Sequence, residues 1–303
     1  MPPRPNRTAA DPGAAVLREF APAKINLYLH VLGRRADGYH SLESLVSFAD
    51  IGDDLALEPG AVPALTLDGP MAAALSADED NLVLKAARLF AEAFPGAATG
   101  QFHLTKNLPV ASGIGGGSSD AAAALRLLAR ANRIALAKPR LMALARALGA
   151  DVPVCLEAKP CIMRGIGHDL EPVLMGEAMP AVLINPGVAV ETRAVFGALA
   201  LQPGEDFTPL RPPESASGDP ALRILAAMRN DLEAPAMAVT EAIGQALDAL
   251  RAVPGCRFAR MSGSGATCFG LFETLAEAQD AADSIQMSHP HWWVRPCRIN
   301  LPF

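Results

Sequence analysis

Four glycines fall within five positions, at Gly113, Gly115, Gly116 and Gly117, and Ser118, Ser119 and Asp120 follow them directly. Glycine lets backbone adopt positive φ and lets a ligand approach bare N–H groups. Ser, Ser and Asp are helix N-cap types, and the alanine and leucine run after them is a strong helix former. The stretch therefore reads as a glycine loop feeding a helix N-terminus, whose unpaired N–H groups and partial positive charge suit phosphate. A turn before a buried helix would need fewer glycines. The chain has no Gly-Lys dipeptide, so this is not a Walker A loop. Ser118 stands where a dinucleotide fingerprint needs its third Gly or Ala, and about twenty residues on lies Lys138, not an acid. No HRD or DFG triplet is present, which removes the protein kinases.

The remaining chemistry-bearing residues are scattered, and each has a plain alternative. Lys24 and Asn26 share one face of an alternating segment, and periodicity alone makes that face solvated. Tyr39 and His40 follow an Asp37-Gly38 turn, and on their own read as part of a hairpin tip. Asn81 lies in the first turn of a helix, where capping is its local role. Lys106, three residues before Pro109, either meets nucleotide phosphates or faces water. Asp151, in Gly-Ala-Asp-Val-Pro, suits a helix N-cap or a turn.

The elements that must position these residues are legible in part. Phe20 to Val31 alternates as a half-buried strand, and 52–67 reads as further strand with polar turns. A helix is expected from Asp78 to Phe94, stopped by Pro95-Gly96, then a short strand from Phe102 to Leu104. A helix over Pro139 to Leu148 follows the loop helix, with Gly149 as its C-cap. Gly165-Ile166-Gly167 reads as a hairpin turn beside a domain boundary. Ala181 to Ile184 is a buried strand, Glu191-Thr192 opens a helix through Phe196, and the proline-rich 202–220 is loop. One helix is expected from Ala236 to Leu250. Ser262 to Thr267 is a second glycine loop before a strand, and a helix over Thr274 to Ser284 and a strand from Trp292 to Ile299 close the chain.

Composition bounds the function. At 303 residues, half of them apolar and 19% charged, the chain is an ordinary globular sequence with room for two domains. A net charge of −6 argues against nucleic acid as a partner. The five cysteines show no metal-binding spacing and suggest reduced thiols and a cytoplasmic location. The first 17 residues have no signal-peptide core and read as a disordered extension, and no apolar run reaches membrane length.

Pro109, three further residues and then Gly-Ile-Gly-Gly-Gly-Ser-Ser-Asp-Ala resemble the phosphate loop of the GHMP small-molecule kinases. Pro22-Ala23-Lys24-Ile25-Asn26-Leu27 resembles their first signature, and Met261 to Phe272 their third. The triple glycine and Gly38-Tyr39-His40 are most similar to the branch acting on 4-diphosphocytidyl-2-C-methyl-D-erythritol. The resemblance implies an α+β fold, with a ribosomal-S5-domain-2-like ATP-binding domain over 18–165 and a ferredoxin-like domain over 166–303. It implies transfer of the ATP γ-phosphate, with Mg²⁺, to the substrate's 2-hydroxyl, with Lys24 and Asp151 as the catalytic pair. Nucleotide would be held by Asn81, Lys106, Pro109, Val110, Ala111, Ser112, Gly113, Ile114, Gly115, Gly116, Gly117, Ser118 and Ser119. Asn26, Tyr39, His40, Thr192 and Phe196 would hold the substrate, with Phe196 closing on the cytosine opposite Tyr39. No metal ligand is assigned on the chain, and a monomer or weak homodimer is expected. The rivals are a GHMP kinase for homoserine, mevalonate or a sugar, disfavoured by Gly-Tyr-His and the triple glycine, and a non-catalytic nucleotide binder, disfavoured by retention of Lys24 and Asp151.

Overall fold

The computed structural model of the protein describes residues 15–136, 139–174, 176–208, 210 and 220–299. Residues 1–14 of the 17-residue extension, and most of the proline-rich loop after Phe207, lie outside the described residues, whereas Leu17, expected within the extension, opens the first strand. The first half runs β1 (Leu17–Arg34), β2 (His40–Gly60), β3 (Ala64–Asp68), α1 (Leu82–Ala93), β4 (Thr99–Thr105), α2 (Gly116–Ala131), α3 (Pro139–Leu148), α4 (Val152–Glu157), β5 (Cys161–Gly165) and β6 (Asp169–Pro172). The second runs β7 (Met179–Asn185), α5 (Thr192–Ala198), α6 (Pro220–Ala227), α7 (Glu233–Val239), α8 (Ala242–Ala252), β8 (Phe258–Met261), β9 (Cys268–Leu271), α9 (Leu275–Ser288) and β10 (Trp293–Ile299).

Strand β2 is the hub. It pairs antiparallel with β1 along most of its length, with β5 near its start and with β4 near its end. Strand β3 adds in parallel to β4, and β6 adds to β5, so this sheet runs past the expected boundary at 165 to Pro172. The second-half strands follow the order β10-β7-β9-β8 and join β2 where Ile299 pairs with Ala49.

Helices α1 to α4 cover one face of the first sheet around Phe48, Leu57, Phe90, Phe102 and Leu125. The alanines at 121–124 bring α2 close to β1, since small side chains shorten the packing distance. A second core gathers α7, α8 and α9 around Ile243, Leu247 and Ile285. A third joins the halves: Ala23, Ile25 and Leu27 of β1 pack against Ala181, Leu183, Phe269 and Ile299.

Two expectations fail here for identifiable reasons. The polar face of β1 is not solvated: Lys24, Asn26, Tyr28 and His30 are all buried, because distant parts of the chain cover that face. The helix expected from Ala236 to Leu250 is two helices. Thr240 is extended (φ −151°, ψ 128°), and its hydroxyl accepts the Ala242 N–H at 3.4 Å, a bond that competes with helix continuation. Among the described residues no helix is long and apolar enough to cross a membrane, and all five cysteines are free thiols.

Candidate active site

The glycine loop lies between β4 and α2. Gly115 is the N-cap, in the left-handed region (φ 64°), so the helix starts at Gly116 and Ser118, Ser119 and Asp120 lie inside its first turns, not at the cap. Glycine absorbs the positive φ without strain and leaves the serines free for other bonds. Ser119 N–H makes the first intrahelical bond, to Gly115 O (2.8 Å), so the N–H groups of Gly116, Gly117 and Ser118 have no acceptor within the helix. The Ser119 hydroxyl donates to Pro22 O (2.8 Å), tying the helix start to β1. Beside it lies a cleft of about 410 Å³, lined by Ser76, Asn81, Lys106, Pro109, Val110 and Gly117 among others. Asn81 caps α1, its side chain accepting the Val83 N–H at 3.0 Å.

Lys106 does not face water. It is 1% exposed, with its ammonium 2.5 Å from Asp53 and 2.7 Å from Asp120. Asp53 also accepts the N–H groups of Asn107 (2.6 Å) and Leu108 (2.9 Å), which fixes the chain as it enters the loop. Burial alone would lower the lysine pKa, but Asp120 and Asp53 together outweigh it and hold it above its ordinary value. Burial raises Asp120, against the pull of Lys106, and its Oδ1 has no hydrogen-bond partner among the described residues. Asp53 is not singled out by the sequence, and Asp120 reads there only as an N-cap type. The available signal was an acid inside an apolar helix run, which requires a buried partner.

Lys24 sits on the loop. Its N–H donates to Ile114 O (2.9 Å), and its aliphatic stem lies against Gly115, where an added Cβ would come within 3.2 Å of Lys24 Cβ. Its ammonium donates to Asp151 Oδ2 at 2.8 Å. The lysine side chain is 4% exposed and the aspartate 34%, so the carboxylate is the reachable member of the pair. Asp151 occupies the N-cap of α4 but makes no side-chain cap bond; its carboxylate is given to Lys24 instead. Asn26 lies deeper. Its amide nitrogen donates to Ser44 Oγ (2.7 Å), its backbone N–H to Ser262 Oγ (3.0 Å), and its buried Oδ1 has no hydrogen-bond partner among the described residues.

The two glycine loops are hydrogen-bonded together. Ser262 Oγ donates to Gly113 O (3.1 Å) and Thr267 N–H to Ser112 O (3.0 Å). Gly113 (φ 76°) is so close that an added Cβ would lie 2.5 Å from Ser262 O. Thr192, at the start of α5, reaches the second loop through Ser264 Oγ (3.0 Å). The aromatic residues are placed differently from expectation. Phe196 stacks on His40, with centroids 4.7 Å apart and planes 25° apart, while the Tyr39 residue is 63% exposed. Burial, and then the Arg34 charge, hold the His40 pKa below its ordinary value, which favours the neutral ring in the stack.

The protein-family comparisons match two parts of the chain: GHMP kinases N terminal domain over residues 81–159 and GHMP kinases C terminal over 218–289. A 4-diphosphocytidyl-2-C-methyl-D-erythritol kinase from Methylorubrum extorquens is 54% identical over 291 residues, spanning 94% of this chain and 99% of that protein. A crystal structure of 4-(cytidine 5'-diphospho)-2C-methyl-D-erythritol kinase, 34% identical, superposes with a TM-score of 0.76 over 94% of this chain and 100% of the other. A homoserine kinase from Cytophaga hutchinsonii reaches a TM-score of 0.67 at 18% identity, over 96% of each chain, a likeness of fold alone.

Proposed function

Since the chain belongs to the GHMP kinases, in the branch of the 4-diphosphocytidyl-2-C-methyl-D-erythritol kinases, we propose that it transfers the γ-phosphate of ATP to the 2-hydroxyl of 4-diphosphocytidyl-2-C-methyl-D-erythritol. That reaction is a step of the non-mevalonate isoprenoid route, in the cytoplasm. The observation that carries this reading is the Lys24–Asp151 ion pair lying on Gly115 of the phosphate loop.

Phosphoryl transfer to an alcohol asks for positioning, charge stabilisation and an acceptor for the hydroxyl proton. The unpaired N–H groups at the start of α2 hold the phosphates. Asp151, the reachable member of its pair, takes the substrate hydroxyl proton as general base. Lys24 keeps its ammonium on that carboxylate and its stem against the loop, and there it offsets the charge that develops in transfer. Lys106 and Asn81 line the nucleotide cleft. Bound with the nucleotide, Mg²⁺ would supply charge neutralisation, and among the described residues no cluster of three or more His, Cys, Asp or Glu could cage it. The His40–Phe196 stack, with exposed Tyr39 adjacent, supplies a π surface for the cytosine, and Thr192 lies beside it at the start of α5.

The test is ADP release by the purified protein with a panel of alcohols. Turnover is expected with 4-diphosphocytidyl-2-C-methyl-D-erythritol and not with homoserine, mevalonate or galactose. Comparable turnover of homoserine would overturn the substrate assignment.

A further inference from the structure

Asp151 stands at the head of a helix of only six residues, α4. So short a helix has little stability of its own, and its position must be imposed from outside. At its far end Arg126, from the middle of α2, donates through Nη1 to Cys155 O (2.7 Å) and Leu156 O (3.5 Å). The same guanidinium donates through Nε to Glu19 Oε1 (2.9 Å) and through Nη2 to Phe20 O (3.0 Å). Glu19 and Phe20 lie on β1, the strand that also carries Lys24. One buried side chain, 7% exposed, thus joins the helix that begins at the phosphate loop, the helix that begins at Asp151 and the strand that carries Lys24.

The chemistry of the contact suits a brace. The last carbonyls of a helix lack intrahelical donors, and a cation there also complements the helix dipole. A planar guanidinium with five N–H donors can serve two elements at once, which an ammonium cannot do in the same geometry. Four residues of helix, about 6 Å, separate the Cys155 carbonyl from Asp151, so movement at one end is carried to the other.

We infer that Arg126 is a positioning residue for phosphoryl transfer, setting where Asp151 stands relative to Lys24 while touching neither. This rests on the assignment of Asp151 as general base. A displacement of about 1 Å from productive geometry can cost on the order of 10²-fold in rate.

The test is a double-mutant cycle in the full-length protein, with kcat and both KM values measured by ADP release. Arg126→Gln should lower kcat by roughly 10–100-fold while the KM for ATP stays within about twofold, because the phosphate loop is untouched. Arg126→Lys, which keeps the charge and one set of bonds and protects folding, should recover part of that loss. In an Asp151→Asn background, Arg126→Gln should cost less than about twofold more, because its target is already disabled. Arg130→Ala is the control. Arg130 is exposed and contacts Glu19 and the Arg18 carbonyl, so its removal should leave kcat unchanged. Wild-type kcat in folded Arg126→Gln, or a loss fully additive with Asp151→Asn, overturns the inference. Wild-type kcat in Asp151→Asn alone overturns the general-base assignment and the inference with it, and that single variant tells the two failures apart.

Discussion

Four polar side chains on the inner face of β1 show what burial does to residues that alternation alone marks as solvated. Lys24 gains Asp151, and Asn26 gains Ser44. Tyr28, pushed up to about 12 chiefly by burial, stacks on His30 with centroids 4.9 Å apart. His30 Nε2 receives the Arg229 N–H at 3.4 Å, so a proton on that nitrogen would meet a donor. Burial pulls the His30 pKa down, against Asp231 and Glu43, which raise it; Arg229 and Arg260 lower it further. The folded protein therefore binds this proton less readily than the unfolded chain. Stability linked to His30 is complete above the unfolded value near 6.5 and is lost as pH falls through the folded value. Between pH 7.5 and 5.5 the urea midpoint should fall more for wild type than for His30→Gln; equal falls would show that His30 carries no such linkage. Period-two alternation identifies a face but not what covers it. The covering groups here lie up to 236 residues away, as with Asn26 and Ser262.

At the scale of elements, local signals did well where termini carry their own chemistry. Pro139–Leu148 is helical between the expected ends, and Thr274 caps α9 with a reciprocal Glu277 bond. The loop–helix junction itself was legible, but not its true N-cap, because Gly115 caps through backbone conformation with no side chain to announce it. The His40–Phe196 stack was not legible as a pair, because the two rings meet only when α5 packs beside the start of β2. The Lys106–Asp53–Asp120 cluster likewise needs three elements to converge. Gly115→Val tests the junction. A β-branched residue at φ 64° costs on the order of 1–3 kcal/mol in strain, and its Cβ would press on the Lys24 stem. The fold should survive, with ATP-analogue affinity weakened and kcat reduced together. Calorimetry showing wild-type affinity in a folded variant would remove Gly115 from the phosphate site.

Across the whole molecule, the site is assembled where the halves of the chain meet. The phosphate loop, Lys24 and Asp151 come from the first half, while Ser262, Ser264, Thr192 and Phe196 come from the second. The third core and the paired glycine loops hold that junction together, so the proposed catalytic geometry depends on both halves being folded. Class and order of signatures were readable in one dimension; the closure of the site was not, since it depends on packing between segments far apart in sequence. The most direct measurement is kcat for Lys24→Met, Asp151→Asn and the double variant, with an ATP-analogue Kd for each. Asp151→Asn should lose roughly 10²–10⁴-fold in kcat and Lys24→Met should also fall. The double should be little worse than either single, since the two act as a unit, and nucleotide affinity should change little. Near-wild-type kcat in folded Asp151→Asn would contradict the account and leave substrate positioning, not this carboxylate, as the source of the rate.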